Sequence, residues 1–338
     1  MRAPRKRPFS NSRKHSKFKL TNWPSYNKYL RNRGRIDFMI AEDLSDHWYD
    51  HSTRRRCGRQ KKYSDLAIVQ CLQIRYLFGL RLRQTEGFIN YLLETSGFKI
   101  RCPDYTTLSK LGSKLGLESL LRDNNSSSNS SSNQNKEFTH VSMDSTGIQT
   151  YTGNEWLENK HGKQYTRRTW KKLHILIEED GMILANSTTL HTEDDRSQVG
   201  SLLSNVKAKE FLGDPGYDGE DVYQLLRSKG IKPIIRPPNR TIEINTIKTL
   251  KTKNLKTERT ERDEATAYQQ EKGYQAWRVK NNYGRREKVE NTFFRFKTNF
   301  GSQFLSRSDA SMKNENTIKC QLLNKMFQIG KPISMRVA

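Results

Sequence analysis

The chain has 338 residues, with 61 Lys and Arg against 36 Asp and Glu, for a formal net charge of +25. A hydrophobic share of 33% is low, yet at this length it suffices for two or three domains with cores. The balance excludes an acidic-surface protein and calls for a polyanionic partner, most simply nucleic acid, although a merely basic, ribosome-like surface protein has the same composition.

No 18-residue apolar run exists, so no membrane span is expected. The basic N-terminus has no apolar run behind it and does not read as a secretory signal, so the expected location is cytoplasmic and nucleoid-associated. Cys57, Cys71, Cys102 and Cys320 lie far apart without a CxxC pair, which reads as reduced thiols rather than a zinc site or a disulfide framework.

Residues 1–35 hold twelve Lys or Arg and no acid. Such a block reads as a disordered arm that adds sequence-independent phosphate contacts. A second basic block, residues 54–62, precedes a helix. Within residues 36–122, Ser64 is an N-cap for a helix whose apolar face is Leu66, Ile68, Val69, Leu72, Tyr76 and Leu77, ending at Gly79. A second helix is predicted from Gln84 to Glu94. A third starts at Thr106, capped by Asp104, and runs to about Lys114. Three short helices with a Gly-bearing connection predict an all-helical, helix-turn-helix-like DNA-binding domain. Lys110 and Lys114, at i,i+4 on the third helix, are its candidate DNA contacts. A plain helical scaffold gives the same pattern.

Residues 123–136 enclose a Ser/Asn tract that cannot bury a core and reads as a flexible linker. Residues 137–330 then read as an α/β domain. Its strands are Phe138–Met143, a short strand or loop near Gly147–Tyr151, Lys172–Glu178, Met182–Leu190, one ending at Asp214, and Lys232–Arg236. Helices are expected at Asp195–Val206 and Asp218–Ser228, with Asp218 as an N-cap and Glu193, Asp194 and Asp195 in a first turn. The odd spacing of Lys171 and His174 puts them on opposite faces of a strand. Residues 240–280 form a polar insertion, and a last helix, Asn314–Gln328, packs through Ile318, Leu322, Leu323 and Phe327.

The stretch from Tyr283 to Lys297 is the densest in chemistry. On a helix of about 100° per residue, Arg286, Glu290, Lys297 and Tyr283 share one narrow stripe, and Val289, Phe293, Phe296 and Phe300 share a core-facing one. Alone, the charges describe a solvated face. Two aspartates change that reading: Asp144, expected to end a strand before Ser-Thr-Gly, and Asp214, expected to end another before Pro-Gly-Tyr-Asp. Asp144, Asp214 and Glu290 form a carboxylate triad in outline, suited to Mg²⁺ or Mn²⁺. Three carboxylates and one phosphodiester balance two such ions, which can clamp the attacking and leaving oxygens of a phosphoryl displacement.

The spacing Tyr283-x2-Arg286-x3-Glu290-x6-Lys297 is similar to the signature of bacterial insertion-sequence DDE transposases. The Asp144-Ser-Thr-Gly and Asp214-Pro-Gly-Tyr-Asp blocks resemble that family's two aspartate motifs. The block from Arg168 to His174, Asn22-Trp-Pro-Ser-Tyr-Asn with Arg33-Gly, Tyr63-Ser-Asp-Leu-Ala-Ile and the Cys102-Pro-Asp-Tyr-Thr-Thr-Leu-Ser region also resemble it. The Ser/Asn tract departs from it.

The resemblance implies a ribonuclease H-like mixed sheet flanked by helices, with Asp144 on a central strand, Asp214 at the end of its neighbour, and the Glu290 helix packed against the sheet. It also implies Asp144, Asp214 and Glu290 as catalytic metal ligands, and Tyr283, Arg286 and Lys297 as phosphate contacts. The partner would be double-stranded DNA, as terminal inverted repeats and target, held by at least a dimer, and the chemistry metal-dependent cleavage and strand transfer. Two alternatives stay open: a catalytically inactive helix-turn-helix DNA-binding protein derived from a transposase, and a structure-specific nuclease with the same metal site. Trp156, Trp170 and Trp277 are candidates to stack on a flipped base, against plain packing.

Overall fold

The computed structural model describes residues 18–35, 44–51, 61–117, 136–150, 170–237 and 261–336. Most of the expected basic arm, most of the second basic block, the Ser/Asn tract and Trp156 lie outside the described residues. Residues 18–35, expected as part of the arm, instead form strand β1 (Phe18–Leu20) and helix α1 (Trp23–Asn32). They belong to a small unit completed by the chain after Lys325. Arg33 explains why a basic stretch is ordered there: its guanidinium donates to the carbonyls of Met326 at 3.1 Å and Gly330 at 2.6 Å.

The large unit lies between Met39 and Asn324. It opens with α2 (Asp65–Phe78), α3 (Leu82–Thr95) and α4 (Tyr105–Gly112). Ser64 Oγ accepts the Ala67 N–H at 3.1 Å, and Gly79, at φ 64°, ends α2 in the left-handed conformation that glycine adopts without strain. Leu66, expected inward, is 37% exposed, while Gln70, Gln73 and Arg75 of the same helix are buried. Asp104 caps α4, accepting from the N–H groups of Thr106 and Thr107. Because α4 ends at Gly112, Lys114 stands past the helix rather than on it. The helical segment packs into the rest of the large unit: Asn314 Nδ2 donates to the Gly112 carbonyl at 2.8 Å, and Arg75 to the Leu305 carbonyl at 3.1 Å.

The sheet is built from β2 (Glu137–Gln149), β3 (Trp170–Glu178), β4 (Ile183–Leu190), β5 (Lys207–Gly213) and β6 (Lys232–Ile235). Its spatial order is β4-β3-β2-β5-β6. The pairs β2–β3 and β3–β4 are antiparallel, and β2–β5 and β5–β6 are parallel. That is the ribonuclease H-like mixed sheet. β2 is one continuous strand through Asp144, where two separate pieces were expected. The helix expected at Asp195–Val206 is a 3₁₀ turn, Asp195–Gln198, followed by the short α5 (Val199–Leu202).

Period-2 alternation sorts the two faces. Val141, Met143, Leu176 and Phe211 pack with α5 and α6 (Glu220–Ser228). After α7 (Glu261–Lys280), which turns sharply at Gly273, come α8 (Glu287–Phe300) and α9 (Asp309–Ile329). Val289, Phe293 and Phe296 of α8 and Met312, Cys320 and Leu323 of α9 cover Ile148, Leu173, Ile175 and Ile177 on the other face. Burying each such Phe contributes about 2–3 kcal/mol. Asn324 protects the outer edge of the sheet by accepting from the Ile183 N–H at 2.9 Å and donating to the Ile183 carbonyl at 2.8 Å, as a neighbouring strand would. A last strand, β7 (Ser334–Arg336), pairs antiparallel with β1 in the small unit. Cys71, Cys102 and Cys320 are buried free thiols.

Candidate active site

Asp144 sits in the central strand, opposite Ile175 of β3 and on the α8 face of the sheet. The parallel neighbour β5 ends at Gly213, so Asp214 emerges beside it and caps a short 3₁₀ turn, its Oδ1 accepting the Gly216 N–H at 2.9 Å. Glu290 stands in the first turn of α8. Chain reversals over 146 residues thus bring together side chains that no local pattern connects.

They meet on Arg286. Its Nη2 donates to Asp144 Oδ2 at 2.7 Å and lies 3.9 Å from Asp214 Oδ2, and its Nη1 donates to Glu290 Oε1 at 2.7 Å. The side chains of Arg286 and Asp144 are only 13% and 16% exposed, whereas Glu290 is 58% exposed. Burial pushes the Asp144 carboxyl up to about 6, and Asp214 and Glu290 push the same way; Arg286 and the Ser145 N–H pull it down but do not win. Beneath the cluster, the Tyr217 phenol is fully buried, and its hydroxyl has no hydrogen-bond partner among the described residues. Its pKa is raised, first by burial and then by Asp144, Asp195 and Asp214.

The rest of the signature stretch divides. Tyr283 to Arg286 form a 3₁₀ turn, not the first turn of a continuous helix. Tyr283, expected on the exposed stripe as a phosphate contact, is 6% exposed. Its ring packs on Trp277 at 5.0 Å, and its hydroxyl donates to the Gly213 carbonyl at 2.9 Å, immediately before Asp214. A phenol suits that place because its ring is apolar and its tip needs one partner. Lys297 is exposed two turns beyond Glu290, and the 71%-exposed Phe294 lies between them. Lys110, near the C-terminus of α4, and Lys114 are both exposed.

Several contacts were missed in the sequence. Asp218 is not a helix cap; it forms a forked pair with Arg262, both bonds at 2.9 Å, and Gly219 precedes α6 in its stead. Asp195 reaches the sheet face opposite Asp144, accepting from Ser145 Oγ and Lys172 Nζ, each at 2.8 Å. Lys171 and His174 do lie on opposite faces: Lys171 pairs with Asp309 at 2.9 Å, and His174 Nε2 is 2.8 Å from Thr189 Oγ1. Trp277 is a core residue at 2% exposure, and Trp170, at 37%, covers Gly147. Such contacts join residues from 15 positions apart, as His174 and Thr189 are, to 44, as Asp218 and Arg262 are, and beyond, and they leave no local signature.

Among the described residues, no three His, Cys, Asp or Glu side chains already converge as a metal-holding group. The three carboxylates converge instead on a guanidinium. Their donor chemistry, hard oxygens gathered on one positive charge, fits a divalent cation, and an ion in that place requires Arg286 to move aside.

The strand order and the acidic cluster where β2 and β5 meet define the ribonuclease H-like class of fold. Two protein-family models, each described as a transposase DDE domain, match the chain at residues 31–153 and 135–325. The second match alone takes in more than half of the sequence, and the chain belongs to the DDE transposase family, proteins of DNA transposition and recombination. Among solved structures, the catalytic core domain of BIV integrase is 13% identical, covering 47% of this chain and 83% of that one with a TM-score of 0.20. A piggyBac transposase synaptic complex with hairpin DNA is 10% identical, covering 86% of this chain and 73% of that one with a TM-score of 0.37. Overlaps this loose leave the assignment resting on the family match and the strand order. Among the described residues, no helix is long and apolar enough to cross a membrane.

Proposed function

We propose that the chain is the active transposase of a bacterial insertion sequence, of the Tyr-Arg-Glu-Lys type, working in the nucleoid. It binds the element's terminal inverted repeats, cleaves to expose a 3′ hydroxyl, and joins that end to target DNA. The observation that carries this reading is the meeting of Asp144, Asp214 and Glu290 on one guanidinium beside the central strands. Asp144, Asp214 and Glu290 would hold two Mg²⁺ or Mn²⁺ ions, which would supply charge stabilisation at the attacking and leaving oxygens.

The protein's own groups do the rest. Tyr283 fixes the strand end that aims Asp214. Arg286 keeps the carboxylates together, and its fork can pass to a DNA phosphate, which accepts the same paired geometry. Lys297 is an exposed point charge for the backbone further along α8, and Lys110 and Lys114 are candidate contacts of the helical segment. Joining two ends in one event calls for at least two copies on DNA.

The test is Glu290→Gln. Cleavage and strand transfer of repeat-bearing DNA with Mg²⁺ should fall by at least about a thousandfold, roughly 4 kcal/mol of barrier. A gel shift on the same DNA should be nearly unchanged. A variant that cuts like wild type would remove Glu290 from the chemistry.

A further inference from the structure

Between α2, α4 and the turn that begins α9 lies a cleft of about 400 Å³. Arg75, Arg81 and Arg307 are among its lining residues, with Ser109, Ser308 and Ser311 and an apolar share from leucines, and no Asp or Glu is among them. Arg75 is the informative one. It is 5% exposed, and its guanidinium donates to the carbonyls of Leu80 at 3.3 Å and Leu305 at 3.1 Å and to the Tyr76 hydroxyl at 3.3 Å. All three acceptors are neutral.

A buried charge ordinarily carries a counter-charge. Among the described residues Arg75 has no ion pair. The carboxylate built into the same region, Glu315, accepts the N–H groups of Leu305 and Ser306 and stands 2.6 Å from the ammonium of Lys319, which neutralises it. The cleft therefore keeps a fixed positive charge in its wall. The 21-residue α9 also begins there, capped by Ser308, and adds the positive end of its dipole.

We propose that this cleft binds a backbone phosphate of the DNA duplex on which the carboxylate site acts, with Arg81 and Arg307 as the solvent-side contacts and Arg75 as the buried charge behind them. The proposal rests on the transposase reading, which supplies the polyanion. Guanidinium groups and hydroxyls grip a phosphate without reading base edges, so the contact is sequence-independent.

The test combines Arg81→Ala with Arg307→Ala, since both side chains are exposed and the fold does not depend on burying them. DNA affinity is measured by fluorescence anisotropy across a salt series, on repeat and unrelated duplexes. The double variant should lose affinity for both by a similar factor, about tenfold or more, and the slope of log K against log salt should flatten by about 0.9, one phosphate's worth. The doubly conservative Arg81→Lys, Arg307→Lys variant should recover most of the loss. Wild-type affinity and slope in the double Ala variant, with wild type cleaving DNA normally, would overturn this proposal and leave the transposase reading intact. Wild type without DNA affinity would overturn both. A thermal shift by millimolar inorganic phosphate that the double Ala variant loses while DNA binding is untouched would mark the cleft as a small-anion site and also overturn the proposal.

Discussion

α8 and α9 are both late, polar helices packed on the same face of the sheet, and they use their polar side chains in opposite ways. α8 buries Val289, Phe293 and Phe296 and leaves Glu290, Phe294 and Lys297 at the surface. α9, from Asn314 to Asn324, is buried on every side. Glu315 there accepts two backbone N–H groups beside Lys319, Asn316 donates to Thr188 at 2.8 Å, and Asn324 closes the sheet edge. A polar residue whose partners are all in its own chain belongs to the fold. Glu290 is paired with Arg286 yet left 58% exposed, which is the placement that the proposed role of a metal ligand requires.

The comparison breaks if Glu315 and Glu290 behave alike on removal. Glu315→Ala leaves Lys319 buried without its partner and should cost about 3–5 kcal/mol of stability in a denaturant titration. Glu290→Ala should stay within about 0.5 kcal/mol of wild type. Equal losses would erase the distinction.

Asp144 sharpens it on the pH axis. In protein free of metal and DNA, its carboxyl is raised from 3.8 to about 6 in the folded state. A group raised in this way favours folding most when protonated, so its contribution is full below about pH 4 and is lost as pH rises through about 6. The loss is about 3 kcal/mol. The stability difference between wild type and Asp144→Asn should therefore swing toward the variant between those limits, and a difference that does not change with pH would remove Asp144 from a strained carboxylate cluster. The smallest effects divide the signature stretch. Tyr283→Phe should cost about 1 kcal/mol of stability with DNA affinity nearly unchanged. Lys297→Ala should leave stability within about 0.5 kcal/mol and weaken DNA binding severalfold. The reverse assignment in gel shifts and melting curves would contradict the buried placement of Tyr283.

Much of this arrangement was legible in the chain. The strands expected at Phe138–Met143, Lys172–Glu178, Met182–Leu190, before Asp214 and at Lys232–Arg236 all lie in the sheet, Ser64 and Asp104 announced their helices, and the Phe stripe of α8 faced inward as its spacing required. What escaped was set by distant partners. β2 runs through Asp144 because β3 pairs with it on both sides of that residue, and nothing in Asp-Ser-Thr-Gly itself says so. Asp218 looked like a cap because its partner, Arg262, lies 44 residues away. Tyr283 looked exposed because its spacing to Arg286 fits a helical stripe, while Trp277 and the end of β5 draw it into the core. The polar residues of α9 gave no sign of burial, since the hydrogen bonds that satisfy Glu315, Asn316 and Asn324 come from the Leu305–Ser306 segment and the edge strand, and the Glu315–Lys319 pair at i,i+4 reads equally as a solvated one.

In the proposed function, Asp144, Asp214 and Glu290 hold the divalent cations that drive DNA cleavage. Asp144→Cys tests it most directly, because it exchanges a hard oxygen donor for a soft sulfur without moving the backbone. Cleavage of repeat-bearing DNA by this variant should be lost in Mg²⁺ and partly restored in Mn²⁺ or Cd²⁺, with the gel shift unchanged throughout. Wild-type cleavage by Asp144→Cys in Mg²⁺, or the same residual activity in all three metals, would contradict the account.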